Sequence, residues 1–232
     1  MRDHIIDGIV GMNLDRPVRI LDVGCGKGWN IQEIADTVLA RTRHAPLIHV
    51  VEPDSYARSI TENLLVPHSY SGLLGKSFED ISQVTDEKLD VVLFMHSGYY
   101  IKDFAKEIER LAAKNLDPNG AIMVQTLPTQ SPFFLGGRTY LPNTTEEVAA
   151  IAANVGTADV QRFRSRFLSE VYARNATEQG TANIKRFMDC ADLSDSDFMR
   201  KFQSFSDGRG DIDLQDDIVW IRPNVAALAL AA

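Results

Sequence analysis

The sequence predicts an α/β fold in which one mostly parallel sheet of seven strands carries helices on both faces. Short apolar runs alternate with segments of helical periodicity from residue 18 to residue 127, a rhythm typical of parallel strands joined by crossover helices. The fourth run is apolar without interruption from Val91 to Met95, as in strands covered on both faces. We therefore expect one domain over residues 1–232.

Each predicted strand or helix depends on its own pattern of apolar and turn residues. The predicted strands cover 18–23, 47–52, part of 71–80, 89–95, 121–126, 159–172 and 217–221. The predicted helices begin near residues 30, 104, 143, 178 and 194. A turn at Asp117-Pro-Asn-Gly120 separates the second helix from the fifth strand. Residues 174–206, between the last two strands, are predicted to form a small helical cap.

Composition and charge restrict the class of protein. The 232 residues have a formal net charge of −8 and include only two cysteines, Cys25 and Cys190. The acidic balance opposes a nucleic-acid surface, and two distant cysteines provide neither a disulfide framework nor a metal site. No apolar run approaches the length of a membrane helix, and Asp3 and Asp7 interrupt the amino-terminal apolar residues. We expect a cytoplasmic monomer or homodimer that acts on a small molecule.

A glycine-rich turn after the first strand is the most informative feature of the chain. Gly24, Gly26 and Gly28 follow the apolar residues 18–23 and precede a helix. Glycines there let the backbone approach a ligand closely, and free N–H groups at the helix start attract an anion. A dinucleotide fold would place a third glycine at position 29, where this chain has Trp29. The turn therefore predicts a different cofactor pocket.

A carboxylate at the end of the second strand strengthens this prediction. Glu52 follows the apolar residues 47–51 and lies 24 residues beyond Gly28. A carboxylate at the carboxyl end of such a strand faces the ligand crevice of an open α/β sheet and can accept hydrogen bonds from two ribose hydroxyls. Alone, Glu52 could instead be a solvated charge at a strand end. Together with the glycine turn, it predicts a nucleoside-containing cofactor.

The Gly-x-Gly-x-Gly spacing behind Asp22 resembles motif I of class I S-adenosylmethionine-dependent methyltransferases. This resemblance implies a Rossmann-like fold, S-adenosylmethionine as cofactor, and cofactor contacts from the three glycines and Glu52. It also implies that Ser77 and Phe78 read the adenine, although Ser77 replaces the commoner aspartate. A serine helix cap, with Phe78 in the core, is an equally consistent interpretation of those two residues.

The segment after the fourth strand contains the candidates for chemistry. His96, Tyr99 and Tyr100 follow Met95, where the chain enters the crevice beside the cofactor's sulfonium and the acceptor. We expect His96 to contact the cofactor and to act as a catalytic base. Tyr100 is the second catalytic candidate, and both tyrosines are expected to line the substrate pocket and to stabilise a cation.

A narrower resemblance involves Val51-Glu-Pro53, the Ser-Phe-Glu turn at 77–79, Tyr99-Tyr-Ile-Lys-Asp103 and Asp216-Asp-Ile-Val-Trp-Ile221. These segments are similar to their counterparts in the histamine N-methyltransferase-like family. The resemblance implies that His96 takes the place of a substrate-facing glutamine, that Tyr100 is an aromatic wall of the amine pocket, and that Asp216 binds substrate. Members of that family have a helical lid at the amino end, whereas this chain has seventeen residues before its predicted first strand.

We therefore expect transfer of a methyl group from S-adenosylmethionine to a nitrogen, or an oxygen, of a small polar metabolite. Two alternatives stay open at this point. One is cyclisation of S-adenosylmethionine to azetidine-2-carboxylate and methylthioadenosine, because the shortened amino end gives less sign of an acceptor pocket. The other is S-adenosylmethionine binding without catalysis, because the glycines and Glu52 cannot separate binding from turnover.

Overall fold

The computed structural model describes residues 1–65, 74–75, 87–129, 143–167, 193–203 and 212–224. Its strands are β1 (Arg19–Val23), β2 (Leu47–Val51), β3 (Leu74–Gly75), β4 (Leu89–Met95), β5 (Leu116–Thr126), β6 (Gly156–Phe167) and β7 (Ile212–Pro223). Its α-helices are α1 (Arg2–Val10), α2 (Trp29–Thr42), α3 (Ser55–Leu65), α4 (Phe104–Arg110), α5 (Thr145–Val155) and α6 (Asp195–Gln203). A 3₁₀ turn spans Gly98–Tyr100, and α4 continues as a π-helical turn over Leu111–Asn115.

The strands form a single mixed sheet in the order β3-β2-β1-β4-β5-β7-β6. The pairings among β1 to β5 are parallel, whereas β7 runs antiparallel to both of its neighbours. Six strands are five to twelve residues long, but β3 consists of two residues. The described sheet thus has six full strands, and the two-residue pairing at β3 forms its edge where the sequence predicted a seventh strand.

Helices cover both faces of this sheet, as the periodicity predicted. Alternate strand residues point to opposite faces: Leu21, Val92 and Phe94 belong to one core, and Ile20, Val91 and Leu93 to the other. Helices α4 and α5 pack on the first core, and α1 and α2 on the second. Apolar burial on both faces is the main source of stability for a sheet of this kind.

Helix α1 was not expected from the sequence. It packs Ile5, Ile6 and Ile9 into the second core, and Gly8 allows close contact because a Cβ there would lie 2.4 Å from the ring of Trp220. Its amino end reaches the carboxyl edge of β5. The residues before β1 therefore form part of the sheet's covering layer.

An ionic network lies at the amino ends of β1 and β4, on the side of the sheet away from the carboxyl ends of these strands. Arg16 donates two hydrogen bonds of 2.7 Å to the buried Asp90 carboxylate, and the Arg19 backbone N–H donates a third of 2.8 Å. Burial by itself raises the pKa of Asp90, but the hydrogen bonds from Arg16 and Arg19 outweigh it and lower that pKa. This network is far along the strands from the carboxyl edge and serves the fold.

Some predictions fall on parts of the chain that the structure does not describe. These are the helix at 178–188, most of the cap at 174–206, and the residues Ser77 and Phe78. Within the described residues, Arg162 and Arg164 are exposed on β6, and their alternation along the strand places them on the same solvated face of the sheet. None of the described helices combines the length and the apolar composition that crossing a membrane would require.

Candidate functional site

The glycine turn lies between the end of β1 and the start of α2. Gly24, Gly26 and Gly28 have φ angles of 74°, 58° and 78°, which are in the left-handed region that side chains with a Cβ avoid. The Gly24 N–H donates to the Val51 carbonyl at 2.7 Å, and the Gly28 N–H donates to the Cys25 carbonyl at 3.1 Å. The hydrogen bond from Gly24 therefore holds the turn against the end of β2, directly before Glu52.

The Glu52 side chain links the glycine turn after β1 to the residues that follow β2. The Gly26 N–H donates to its Oε2 at 2.7 Å, and the Asp54 N–H donates to its Oε1 at 2.9 Å. Each carboxylate oxygen can accept more than one hydrogen bond, so both oxygens keep capacity for further donors. The side chain is buried, and its carboxylate is fixed rather than free to rotate in solvent.

Gly26 and Gly28 have different surroundings although their backbones are alike. A Cβ on Gly28 would lie 2.8 Å from Thr61 Oγ1 and 2.9 Å from Thr61 Cγ2, whereas a Cβ on Gly26 would meet nothing within 4 Å. Thr61 also donates a hydrogen bond of 2.8 Å to the Gly26 carbonyl. Gly28 is thus needed for packing against α3, and Gly26 borders open space.

We expect Gly28→Ala to be more destabilising than Gly26→Ala. Both variants incur the left-handed backbone cost of roughly 1–2 kcal/mol, and Gly28→Ala adds about 1 kcal/mol or more from overpacking against Thr61. Urea denaturation measures both free energies of unfolding. Equal values for the two variants would contradict the predicted contact, and Thr61→Ala should recover part of the Gly28→Ala loss.

Asp22 is a buried carboxylate below the glycine turn. It is fully inaccessible to solvent, and neither of its oxygens has a hydrogen-bond partner within the described structure. Burial raises the pKa of Asp22 to about 8, and the charge of Glu52 adds to that rise. Such an orphaned acid can accept a cation or hydrogen-bond donors from a ligand, since leaving it unpaired is costly.

The raised pKa of Asp22 predicts a pH-dependent stability. Since the folded protein holds this proton more tightly than the unfolded chain, the contribution of Asp22 to the free energy of unfolding falls as pH rises from the unfolded pKa of 3.8 to the folded pKa of about 8, and it levels off above that. Asp22→Asn removes the titration, so its free energy of unfolding relative to wild type should increase between pH 6 and pH 9. Denaturation at several pH values, with Asp3→Asn as the exposed control, measures this. A difference that stays constant would contradict the prediction.

A second cluster lies at the carboxyl edge of β4, next to β1 in the sheet. His96 has a φ of 56°, and its Nε2 lies 3.2 Å from Asp216 Oδ2 on β7 and 2.9 Å from Gln125 Nε2 on β5. Gln125 also donates to Asp216 Oδ2 at 2.8 Å. The antiparallel insertion of β7 brings Asp216 to this edge, so three strands combine an imidazole, an amide and a carboxylate.

The two tyrosines differ in their surroundings. Tyr99 Oη lies 3.3 Å from His96 Nδ1, and burial raises the pKa of Tyr99, which also hydrogen-bonds with Thr126. Tyr100 is 73% exposed and meets the Tyr99 ring edge-on at 6.5 Å. Tyr99 therefore belongs to the cluster, while Tyr100 lies at its rim.

The structure brings together His96, Tyr99 and Asp216 as one cluster, and Gly26 with Glu52 as another. Sequence reasoning missed Gln125, although a polar residue near the end of the apolar strand 121–126 was a visible signal. Trp29, which takes the place of a dinucleotide-fold glycine, is 63% exposed, with Lys27 Nζ 5.3 Å from its ring.

Comparison with known proteins agrees with this architecture. YcgJ protein from Bacillus subtilis has a TM-score of 0.58 at 13% identity, with 94% of this chain and 97% of that one covered. An S-adenosylmethionine-dependent methyltransferase from Geobacter sulfurreducens, in complex with S-adenosylhomocysteine, has a TM-score of 0.55 at 14% identity, with 96% and 90% covered. The [4+2]-cyclase SpnF has a TM-score of 0.57 at 16% identity, with 95% and 81% covered. These likenesses show a shared fold.

Among curated proteins, none matches the chain. The family model described as "Methyltransferase domain", however, matches residues 4–183, which include the glycine turn, Glu52 and His96. This match covers more than half of the sequence and agrees with the class I resemblance of the motif at Asp22 to Gly28. The chain therefore belongs to the methyltransferase-domain family.

Proposed function

We propose that this enzyme transfers the methyl group of S-adenosylmethionine to a nitrogen, or an oxygen, of a small polar metabolite. The observation that carries the proposal is the contact between His96 and Asp216 at 3.2 Å, at the edge where β4 adjoins the glycine turn of β1. An imidazole supported by a carboxylate can take up the proton that an amine must lose before it attacks a methyl group. The narrower resemblance to the histamine N-methyltransferase-like family supports an amine acceptor.

The described residues fit the proposed cofactor. Glu52 would accept hydrogen bonds from the ribose, because its oxygens keep acceptor capacity at the end of β2. The orphaned Asp22 carboxylate would receive the ammonium of the methionyl part, and the N–H groups near Gly28 would face its carboxylate. The cofactor would supply a methyl group on a positive sulfonium, which is a good leaving group. Ser77 and Phe78 stay proposed adenine contacts.

The protein's share of the chemistry is mainly positioning and proton transfer. In-line placement of a nucleophile provides up to about 7–11 kcal/mol in favourable intramolecular models. The acceptor amine would transfer its proton to His96 and form the new C–N bond with its lone pair. The bound cofactor would supply the methyl group, and its sulfur would keep the electron pair of the C–S bond. Asp216 stabilises the imidazolium and can hold a cationic group of the substrate, because its Oδ1 is buried without a partner.

The tyrosines give the acceptor pocket an aromatic wall in this proposal. Tyr99 is fixed beside His96, and its ring can attract the positive charge at the reacting centre. Tyr100 stands at the rim and would contact the substrate from the solvent side.

We also infer a cytoplasmic location, since only two cysteines suit a reducing compartment. We further propose that the enzyme is a monomer or a homodimer.

Product analysis tests the proposed reaction. Purified enzyme incubated with S-adenosylmethionine and a panel of small primary amines should form S-adenosylhomocysteine only when a suitable amine is present. Chromatography separates this nucleoside from methylthioadenosine, and boiled enzyme corrects for uncatalysed decay. Enzyme-dependent methylthioadenosine with stoichiometric azetidine-2-carboxylate would overturn methyl transfer in favour of cyclisation. Cofactor binding without any product across the panel would contradict the amine assignment.

A further inference from the structure

The side-chain amide of Gln125 lies within hydrogen-bond distance of both His96 and Asp216. Its Nε2 lies 2.8 Å from Asp216 Oδ2 and 2.9 Å from His96 Nε2, and 3.3 Å from Met1 Sδ. The side chain is buried on β5. The side chains within hydrogen-bond distance of the His96 ring in the described structure are thus Asp216, the Tyr99 hydroxyl and the uncharged Gln125.

The orientation of the Gln125 amide follows from its neighbours. An ionised carboxylate only accepts hydrogen bonds, so the amide group 2.8 Å from Asp216 Oδ2 must be the NH₂. The opposite orientation would place two acceptor oxygens at that distance and would leave both without a donor. The amide nitrogen has no acceptor capacity. It can therefore approach His96 Nε2 at 2.9 Å favourably only when that ring nitrogen carries a lone pair.

We propose that Gln125 is a positioning residue that keeps Nε2 of neutral His96 unprotonated and places the ring proton on Nδ1. The Nδ1–H then faces Tyr99 Oη at 3.3 Å. This inference rests on the proposed base role of His96 for its catalytic meaning, but the tautomer itself is a property of the protein alone. No sequence motif singled out Gln125.

The consequence for the reaction is that His96 accepts the substrate proton at Nε2, once its single lone pair is released from the Gln125 N–H. That proton comes to lie beside Asp216 Oδ2, 3.2 Å away, and the N–H of Gln125 that had bonded to the ring loses this acceptor. The second N–H of Gln125 still donates to Asp216. Gln125 therefore opposes a permanent imidazolium–carboxylate pair in the resting enzyme, which would leave His96 unable to act as a base.

Nitrogen-15 NMR of the histidine rings tests this tautomer without cofactor or substrate. The protein is labelled and measured at about pH 8, where an ordinary imidazole is neutral, and His96→Asn identifies the signals of His96 among the five histidines. In wild type we expect a protonated Nδ1 and an unprotonated Nε2. Gln125→Met, which removes the donor but keeps a similar volume, should shift the population towards protonated Nε2 bonded to Asp216. Gln32→Met on α2 is the matched control and should leave the His96 signals unchanged.

Each result decides the proposal. A wild-type His96 that carries its neutral proton on Nε2 overturns it, even if the Gln125→Met variant fails to fold. An unchanged tautomer in a folded Gln125→Met variant also overturns it. Gln125→Glu provides a second variant, because a carboxylate in this place should favour a proton on Nε2. If the tautomer is as expected but His96 proves dispensable for turnover, the base role fails while the positioning by Gln125 stands.

Discussion

Replacement of His96 by phenylalanine is expected to lower turnover about 10²-fold, the lower end for loss of a general base. Affinity for S-adenosylhomocysteine should stay within about threefold, because the glycine turn and Glu52 are held by contacts that do not involve His96. Single-turnover assays with an identified amine measure the rate, and calorimetry measures the affinity. Phenylalanine keeps an aromatic ring in place but removes both ring nitrogens.

Loss of substrate positioning could also slow the reaction, so the pH dependence of the rate separates the two explanations. If His96 takes the proton, the wild-type rate should fall towards acid pH, because a protonated imidazole cannot accept a proton, and His96→Phe should lose this part of the pH dependence. His44→Phe, three residues before β2, is the control and should keep wild-type turnover. If wild type and His96→Phe have the same pH dependence, the base role is ruled out and His96 is a positioning residue.

The fold could be predicted from local patterns because each parallel strand and its helix are close in sequence. The strands predicted at 47–52 and 89–95 correspond to Leu47–Val51 and Leu89–Met95. The turn predicted at Asp117-Pro-Asn-Gly120 lies inside β5, which spans Leu116–Thr126. The turn chemistry was nonetheless informative: Leu116 pairs with Leu89 and Ala121 pairs with Val91. Residues 117–120 therefore bulge out of the ladder, which continues on both sides.

The cofactor half of the site was easier to predict than the reaction half. Local sequence patterns identify the glycine turn and Glu52 at the ends of adjacent strands. The hydrogen bond of 2.7 Å from Gly26 to Glu52 joins residues 26 positions apart. The contacts of His96 with Asp216 span 120 positions, and those of Gln125 with Asp216 span 91. They depend on β7 entering the sheet antiparallel beside β5, which no local pattern specifies. Resemblance suggested Asp216, but only the sheet order shows that it contacts His96.

Replacement of Glu52 by alanine is expected to weaken binding of S-adenosylhomocysteine by about 1.5–3 kcal/mol, through loss of charge-assisted hydrogen bonds to two ribose hydroxyls. The same change leaves the N–H groups of Gly26 and Asp54 without their acceptor. The glycine turn would then lose some of its order in the free protein. Calorimetric titration measures the affinity, and urea denaturation measures the free energy of unfolding.

The two effects of Glu52 can be separated with an isosteric variant. Glu52→Gln keeps one acceptor oxygen, whose two lone pairs can serve two of the four donors but not all of them, so its affinity should lie between those of wild type and Glu52→Ala. Glu109→Ala, an exposed carboxylate on α4, controls for net charge and should bind as wild type does. If folded Glu52→Ala binds S-adenosylhomocysteine with unchanged affinity, the ribose does not contact this carboxylate. The role of Glu52 would then be to hold the Gly26 turn, and its loss would appear in stability alone.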